Sequence, residues 1–142
     1  MGYLLDTNIV TAILKDNQVV VERLSAVRLQ GKDVFISCIT YLETEAGLLA
    51  IKATKKLARF QNLCRTDLRV LLLDTMEIVH QAAAISADLR LKGTPIQMAD
   101  ILIAATAISY NLIVVSDDSD MLRVQGLIVE NWRRLDNLLV MI

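Results

Sequence analysis

The sequence predicts an α/β protein in three layers, with a central, mostly parallel sheet between helices. Two observations carry this expectation. The short apolar runs, at residues 3–5, 34–36, 70–73, 112–115 and 127–129, are continuous rather than alternating. Strands covered on both faces read this way. Longer amphipathic segments separate most of these runs, and strands joined through helices pair in parallel. A chain of 142 residues that is 54% apolar can bury one substantial core and is not disordered, so a single domain over residues 1–142 is expected.

Taken in order, the first strand, 3–5, ends at Asp6. A helix over 17–30 follows, with Val20, Val21, Leu24, Val27 and Leu29 as its apolar positions. Strand 34–36 leads into a helix over 40–50, whose stripe reads as Ile39, Leu42, Ala46 and Leu49. Helices over 53–63 and 75–92 flank strand 70–73. Asp74 precedes the second of these, with Glu77 three residues on, and that spacing reads as an N-terminal capping box. The helix over 98–110 carries no charge beyond Asp100, so it is expected to be buried all round. Strands 112–115 and 127–129 complete the sheet.

Several classes are disfavoured. The longest uncharged stretch, 101–116, falls short of the about 20 residues a membrane span needs. Asp6 interrupts the first apolar run, which argues against a signal peptide. Asp6 also stands where a myristoylation signal at Gly2 needs Ser or Thr. Cys38 and Cys64 lack metal-ligand spacing and read as small buried thiols in a reducing cytoplasm. The lone histidine, His80, excludes a two-histidine acid–base site, and its neighbours Met76, Ala83 and Ala84 mark it as a packed residue. Trp132 reads as packed near the last strand. A net charge of −1 counts against general affinity for nucleic acid. Two basic clusters, Lys52/Lys55/Lys56/Arg59 and Arg133/Arg134, read either as solvated helix faces or as phosphate contacts.

The chemistry-bearing residues are carboxylates. In parallel sheets, sites form beyond the carboxyl ends of the strands. Asp6 follows the first strand, and Asp117 and Asp118 follow the fourth. Asp100 opens the uncharged helix at the rim of the core, where an unpaired charge is costly. Each acid alone also reads as a helix cap or a polar turn. Acids gathered at one edge repel one another unless a cation lies between them, and hard cations such as Mg²⁺ and Mn²⁺ prefer oxygen. Glu43 and Glu45 flank the stripe of their helix about equally. The small residues Gly47 and Ala50 beside Glu43 favour it modestly, while the row of Tyr41, Leu48 and Lys52 beside Glu45 looks the more solvated.

The ordered set of motifs resembles PIN-domain ribonucleases, and among them the VapC-type toxins of prokaryotic toxin–antitoxin pairs. Tyr3-Leu4-Leu5-Asp6-Thr7-Asn8 is similar to the family's first acidic motif. Ile36-Ser37-Cys38-Ile39-Thr40-Tyr41-Leu42-Glu43 is similar to its second. Pro95-Ile96-Gln97-Met98-Ala99-Asp100-Ile101-Leu102-Ile103-Ala104-Ala105 is similar to its third, and Val114-Val115-Ser116-Asp117-Asp118-Ser119-Asp120-Met121 to its fourth. Gly126-Leu127-Ile128-Val129-Glu130-Asn131-Trp132 fits the family's ending. Two departures stand in the fourth block, Ser116 for the usual Thr and Met121 for the usual Phe.

The resemblance implies a PIN-like fold and a metal-dependent endoribonuclease. Asp6, Asp100 and Asp118 would hold Mg²⁺ or Mn²⁺, with Glu43 as a further ligand or a water-positioning base. Asp117 and Asp120 stay open as the fourth acid. Thr7 and Ser116 would orient the carboxylates, or serve as ordinary turn hydroxyls. The resemblance also implies an RNA substrate, a cognate antitoxin partner and a homodimer. Two alternatives are a catalytically inactive module on the same fold and a phosphatase with Asp6 as nucleophile. The second lacks an acid at Asn8 to serve as general acid.

Overall fold

The computed structural model describes residues 1–134, so the last residues of the expected domain, 135–142, lie outside the description. Five strands pair in parallel in the order β3-β2-β1-β4-β5. They are β1 (Tyr3–Leu5), β2 (Val34–Ser37), β3 (Arg69–Leu71), β4 (Ile113–Val115) and β5 (Val129–Glu130). Six α-helices join them: α1 (Thr7–Leu14), α2 (Gln18–Leu29), α3 (Cys38–Ala50), α4 (Thr54–Thr66), α5 (Met76–Leu91) and α6 (Met98–Tyr110).

The alternation of β1 creates the three layers. Successive side chains point to opposite faces of a strand. Tyr3 and Leu5 pack with α1, α2, Phe60 and Trp132 on one face, while Leu4 packs with Ile78, Leu89 and Ile103 of α5 and α6 on the other. All three β1 residues are buried, so the continuous apolar run is explained by a strand with protein on both sides. The chain leaves β1 toward β2 on one side, and β4 pairs on its other side. The strand order therefore reverses beside β1, and a crevice opens there above the carboxyl ends.

Several local expectations change. A helix, α1, begins directly after Asp6, whose carboxylate caps it by accepting from the Ile9 N–H at 3.1 Å. β3 stops at Leu71, because pairing with β2 ends at Ser37; Leu72 and Leu73 run on into the surface. Asp74 does not cap α5. Thr75 does, its hydroxyl accepting from the Ile78 N–H, while Asp74 accepts from the Tyr110 hydroxyl at 3.0 Å. Thr75 stands immediately before the first helical residue, so it meets the free N–H groups first.

Most of the stripe assigned to α3 faces outward, although Ile39 packs against the core. Leu42 is 63% and Leu49 57% exposed, and Ala46 is exposed with them. The buried positions are Thr40 and Thr44, with Tyr41 and Leu48 packed at the core's margin. Helix α3 touches α1, α4 and α6, so no single apolar stripe serves it. The row beside Glu45 is accordingly the packed one, and the row of Glu43, Gly47 and Ala50 is open. His80 is exposed on the outer face of α5, because the inner face is made by Ile78, Ala82, Ile85 and Leu89. Cys38 and Cys64 are half-buried rather than enclosed. Helix α6 meets the expectation closely, with six of its residues from Ile101 to Ala107 buried. No helix among the described residues is long and apolar enough to cross a membrane.

Candidate active site

Asp6, Glu43, Asp100 and Asp118 line one cavity of about 240 Å³, together with Thr7, Asn8, Gln97 and Asp120. It lies in the crevice predicted by the strand order. Asp6 comes from the end of β1, and its N–H bonds to the Val115 carbonyl at the end of β4. Asp118 leaves β4 and caps a 3-10 turn, Ser119–Arg123, by accepting from the Asp120 N–H at 2.9 Å. Asp100 sits in the first turn of α6, and Glu43 one turn into α3.

Hydroxyls fix this array. Ser116 donates to the Asp6 carboxylate, and its oxygen accepts from the Asp118 N–H at 3.0 Å, so one side chain ties two acids together. The Thr7 hydroxyl lies 2.7 Å from a Glu43 carboxylate oxygen, to which it donates, and 3.3 Å from the Thr40 hydroxyl. These bonds hold carboxylates at the positions they keep in the fold.

The electrostatics are those of crowded acids. Burial pushes the Asp6 carboxyl up to about 6. The charges of Asp117 and Asp100 push the same way, against the hydrogen bonds from Ser116 and the Ile9 N–H. Asp100 is raised too, first by burial and then by Asp118, Glu43 and Asp120. Carboxylate oxygens of Asp100, Asp118 and Asp120 lie within 4.8 Å of one another, close enough to share one ion. The donor set is all oxygen and anionic, which fits Mg²⁺ or Mn²⁺ and does not fit soft metals.

The three acids of the 117–120 segment separate. Asp117 turns away from the cavity and pairs with Arg133 at 3.0 Å. Asp118 and Asp120 face the cavity. Asn8 and Gln97 also line it, although sequence reasoning gave them no role. The readable signal for Gln97 is its place three residues, nearly one helical turn, before Asp100. Trp132 is fully buried, edge-on to Tyr3 at 5.3 Å between ring centres. Its indole N–H donates to Glu130, which also holds the buried Arg23 guanidinium at 3.1 Å. Trp132 is thus part of the packing that seats residues 129–134.

Residues 3–127 match the PIN domain family. The chain is 33% identical to the "tRNA(fMet)-specific endonuclease VapC" of Salmonella typhimurium, over 93% of this chain and 98% of that one. It is 29% identical to the "VapC ribonuclease Y4jK" of Sinorhizobium fredii, over 90% of this chain and 96% of that one. Among solved structures, DNA-bound VapBC from Salmonella typhimurium superposes with a TM-score of 0.82 at 29% identity, covering 93% of this chain and 98% of that chain.

Proposed function

We propose, from the premise that this chain belongs to the PIN-domain family, that it is a divalent-metal-dependent endoribonuclease and the toxin of a toxin–antitoxin pair. The single observation that carries the site assignment is the convergence of Asp6, Glu43, Asp100 and Asp118 on one cavity from four separate elements. In this reading Asp6, Asp100 and Asp118 hold Mg²⁺ or Mn²⁺, with Asp120 beside them. What such an ion supplies is positive charge for the phosphate in the transition state and an acidified water.

The chain's own groups do the rest. Glu43, oriented by the Thr7 hydroxyl, takes a water proton or completes the ligand set. Ser116 keeps Asp6 and Asp118 in register. Arg133 pairs with Asp117, which offsets part of the negative charge that Asp117 places near Asp6. The presence of every acid argues against an inactive module. A phosphatase reading lacks a general acid, because Asn8 occupies that position.

The partners follow from the same reading. The two relatives are a VapC endonuclease and a VapC ribonuclease, and solved neighbours include the DNA-bound VapBC of Salmonella typhimurium and a member of the VapBC family of toxin–antitoxin systems. We assign this chain an antitoxin partner, a homodimeric state and a cytoplasmic location. The exposed apolar side chains Leu42, Leu49, Met76 and Val79 supply surface for such protein contacts. Residues 1–142 are taken as one nuclease domain, since both cores lie against one sheet. Expression in a bacterium tests the proposal. Growth should stop, co-expression of the neighbouring gene should restore it, and sequencing of RNA 5′ ends should show discrete new termini. Normal growth with unchanged RNA ends would contradict the toxin reading.

A further inference from the structure

The acidic cavity does not stand alone at the carboxyl edge of the sheet. On one side it shares Thr7 and Glu43 with a groove of about 210 Å³ between α1, α3 and α4. Leu14, Leu48 and Ile51 line that groove, and Lys15 and Lys56 stand at it. On the other side the acidic cavity shares Asp118 with a cleft of about 260 Å³ lined by Asp117, Ser119, Glu130, Asn131 and Arg134. The three spaces are therefore neighbours, with the acidic cavity in the middle, Lys15 and Lys56 at one end, and at the other Arg134 beside two acids already paired, Asp117 with Arg133 and Glu130 with Arg23. Lys15, Lys56 and Arg134 are exposed, and among the described residues none has a carboxylate within ion-pair distance.

We propose that these three spaces form one trough for an unpaired RNA segment. Lys15 and Lys56 contact backbone phosphates on one side of the scissile bond, and Arg134 contacts them on the other. The inference rests on the ribonuclease reading and adds to it the binding residues and the path of the strand. Electrostatics require something of this kind. The net charge is −1 and the centre of the site is anionic, so attraction for a polyanion has to come from cations placed locally. The apolar walls of the α1–α3–α4 groove suit the face of a base, which a paired and stacked strand does not present. Lysine reaches a phosphate as a mobile point charge, whereas Arg134 offers two donors in a fixed fork. Both basic clusters thus divide. Lys56 faces the trough, while Arg59 is taken by Asp16 at 2.7 Å, and Arg134 lines it, while Arg133 is taken by Asp117 at 3.0 Å.

The test uses the whole protein with Mn²⁺ and a fluorophore–quencher RNA of randomised, unstructured sequence, at several KCl concentrations. The variants are Lys15→Ala, Lys56→Ala and Arg134→Ala. Lys32→Ala and Arg69→Ala remove the same charge beside a separate cavity at the other end of the strands, and so serve as controls. Each trough variant should raise KM about threefold or more, and should lower the slope of log KM against log salt by roughly 0.7. The two controls should leave KM and slope as in the wild type. If the wild type cuts and the trough variants keep its KM and slope, the trough is not the RNA path, and the groove is left to a protein ligand. If the controls shift as much as the trough variants, only net charge matters and the inference fails. If the wild type cuts no RNA at all, the ribonuclease reading falls and the trough with it.

Discussion

Replacing Asp6 with Asn should make the metal-free protein more stable, although it removes a central residue of the proposed site. Asp6 is 4% exposed, and its carboxyl is raised from 3.8 to about 6, mainly by burial. The folded state therefore holds this proton more tightly than the unfolded chain does. Below about pH 3 the group is neutral in both states and costs nothing. Between about pH 4 and pH 6 the unfolded chain gives up this proton while the folded state keeps it, so stability falls, and above 6 the full cost of a buried anion is in place. A shift of about two units corresponds to about 3 kcal/mol by pH 8. Asn removes that penalty and keeps the cap on α1, since Asn and Asp are equivalent N-caps. In EDTA at pH 8 the Asp6→Asn variant should melt roughly 10 °C above the wild type. At pH 3 the two should coincide. Added Mn²⁺ should raise the wild-type Tm and leave the variant nearly unmoved. Thermal melts at the two pH values, with and without Mn²⁺, decide it. A variant less stable than the wild type at pH 8 in EDTA, or a difference independent of pH, would refute the reasoning.

Four further outcomes follow. Thr75→Ala should cost about 1 kcal/mol in urea unfolding through the lost cap on α5, whereas Asp74→Ala should cost less, because its side-chain partner among the described residues is the exposed Tyr110 hydroxyl. Asp74→Ala should also bring the Tyr110 phenol back down toward its ordinary titration range, read by ultraviolet absorbance, since the hydrogen bond to Asp74 is the first cause of its upward shift. Gly47→Ala should stabilise the protein by about 1 kcal/mol in the same unfolding assay, because Gly47 is exposed in mid-helix and a Cβ there meets nothing within 4 Å. Asp117→Asn should retain most cleavage while Asp118→Asn loses it, because only Asp118 faces the acidic cavity.

The sheet was legible because burial on both faces leaves a mark that local sequence carries. Leu4 and Leu5, or Val114 and Val115, can be adjacent apolar residues only if both sides of the strand are covered. Asp6 and the 117–120 acids were placed correctly by the same logic, since they follow those strands. What failed were inferences about which helix face turns inward. Helix α3 follows β2 directly and meets α1, where the Thr7 hydroxyl lies 3.3 Å from the Thr40 hydroxyl, and it buries Thr40 and Thr44 while Leu42 and Leu49 face out. The pattern of α3 alone separated Glu43 from Glu45 only weakly, and the motif it resembles did more. His80 was misread for a related reason: its neighbours Ala83 and Ala84 are apolar but lie on the exposed side of α5. The division of labour among Asp117, Asp118 and Asp120 depends on where Arg133 comes to rest, a contact 16 residues away that no local pattern encodes.

The most direct test of the central claim is an RNA cleavage assay on the purified chain, with Mn²⁺ or Mg²⁺, run beside EDTA and beside Asp100→Asn. Asp100 approaches Asp118 and Asp120 closely, and its carboxyl is raised by burial and by these neighbours, so the shared negative charge of this cluster should be what holds the ion. The account predicts endonucleolytic products with the divalent ion, none in EDTA, recovery when Mn²⁺ is restored in excess, and none from the folded Asp100→Asn variant. Cleavage that survives full chelation, or that Asp100→Asn performs at the wild-type rate, would contradict it.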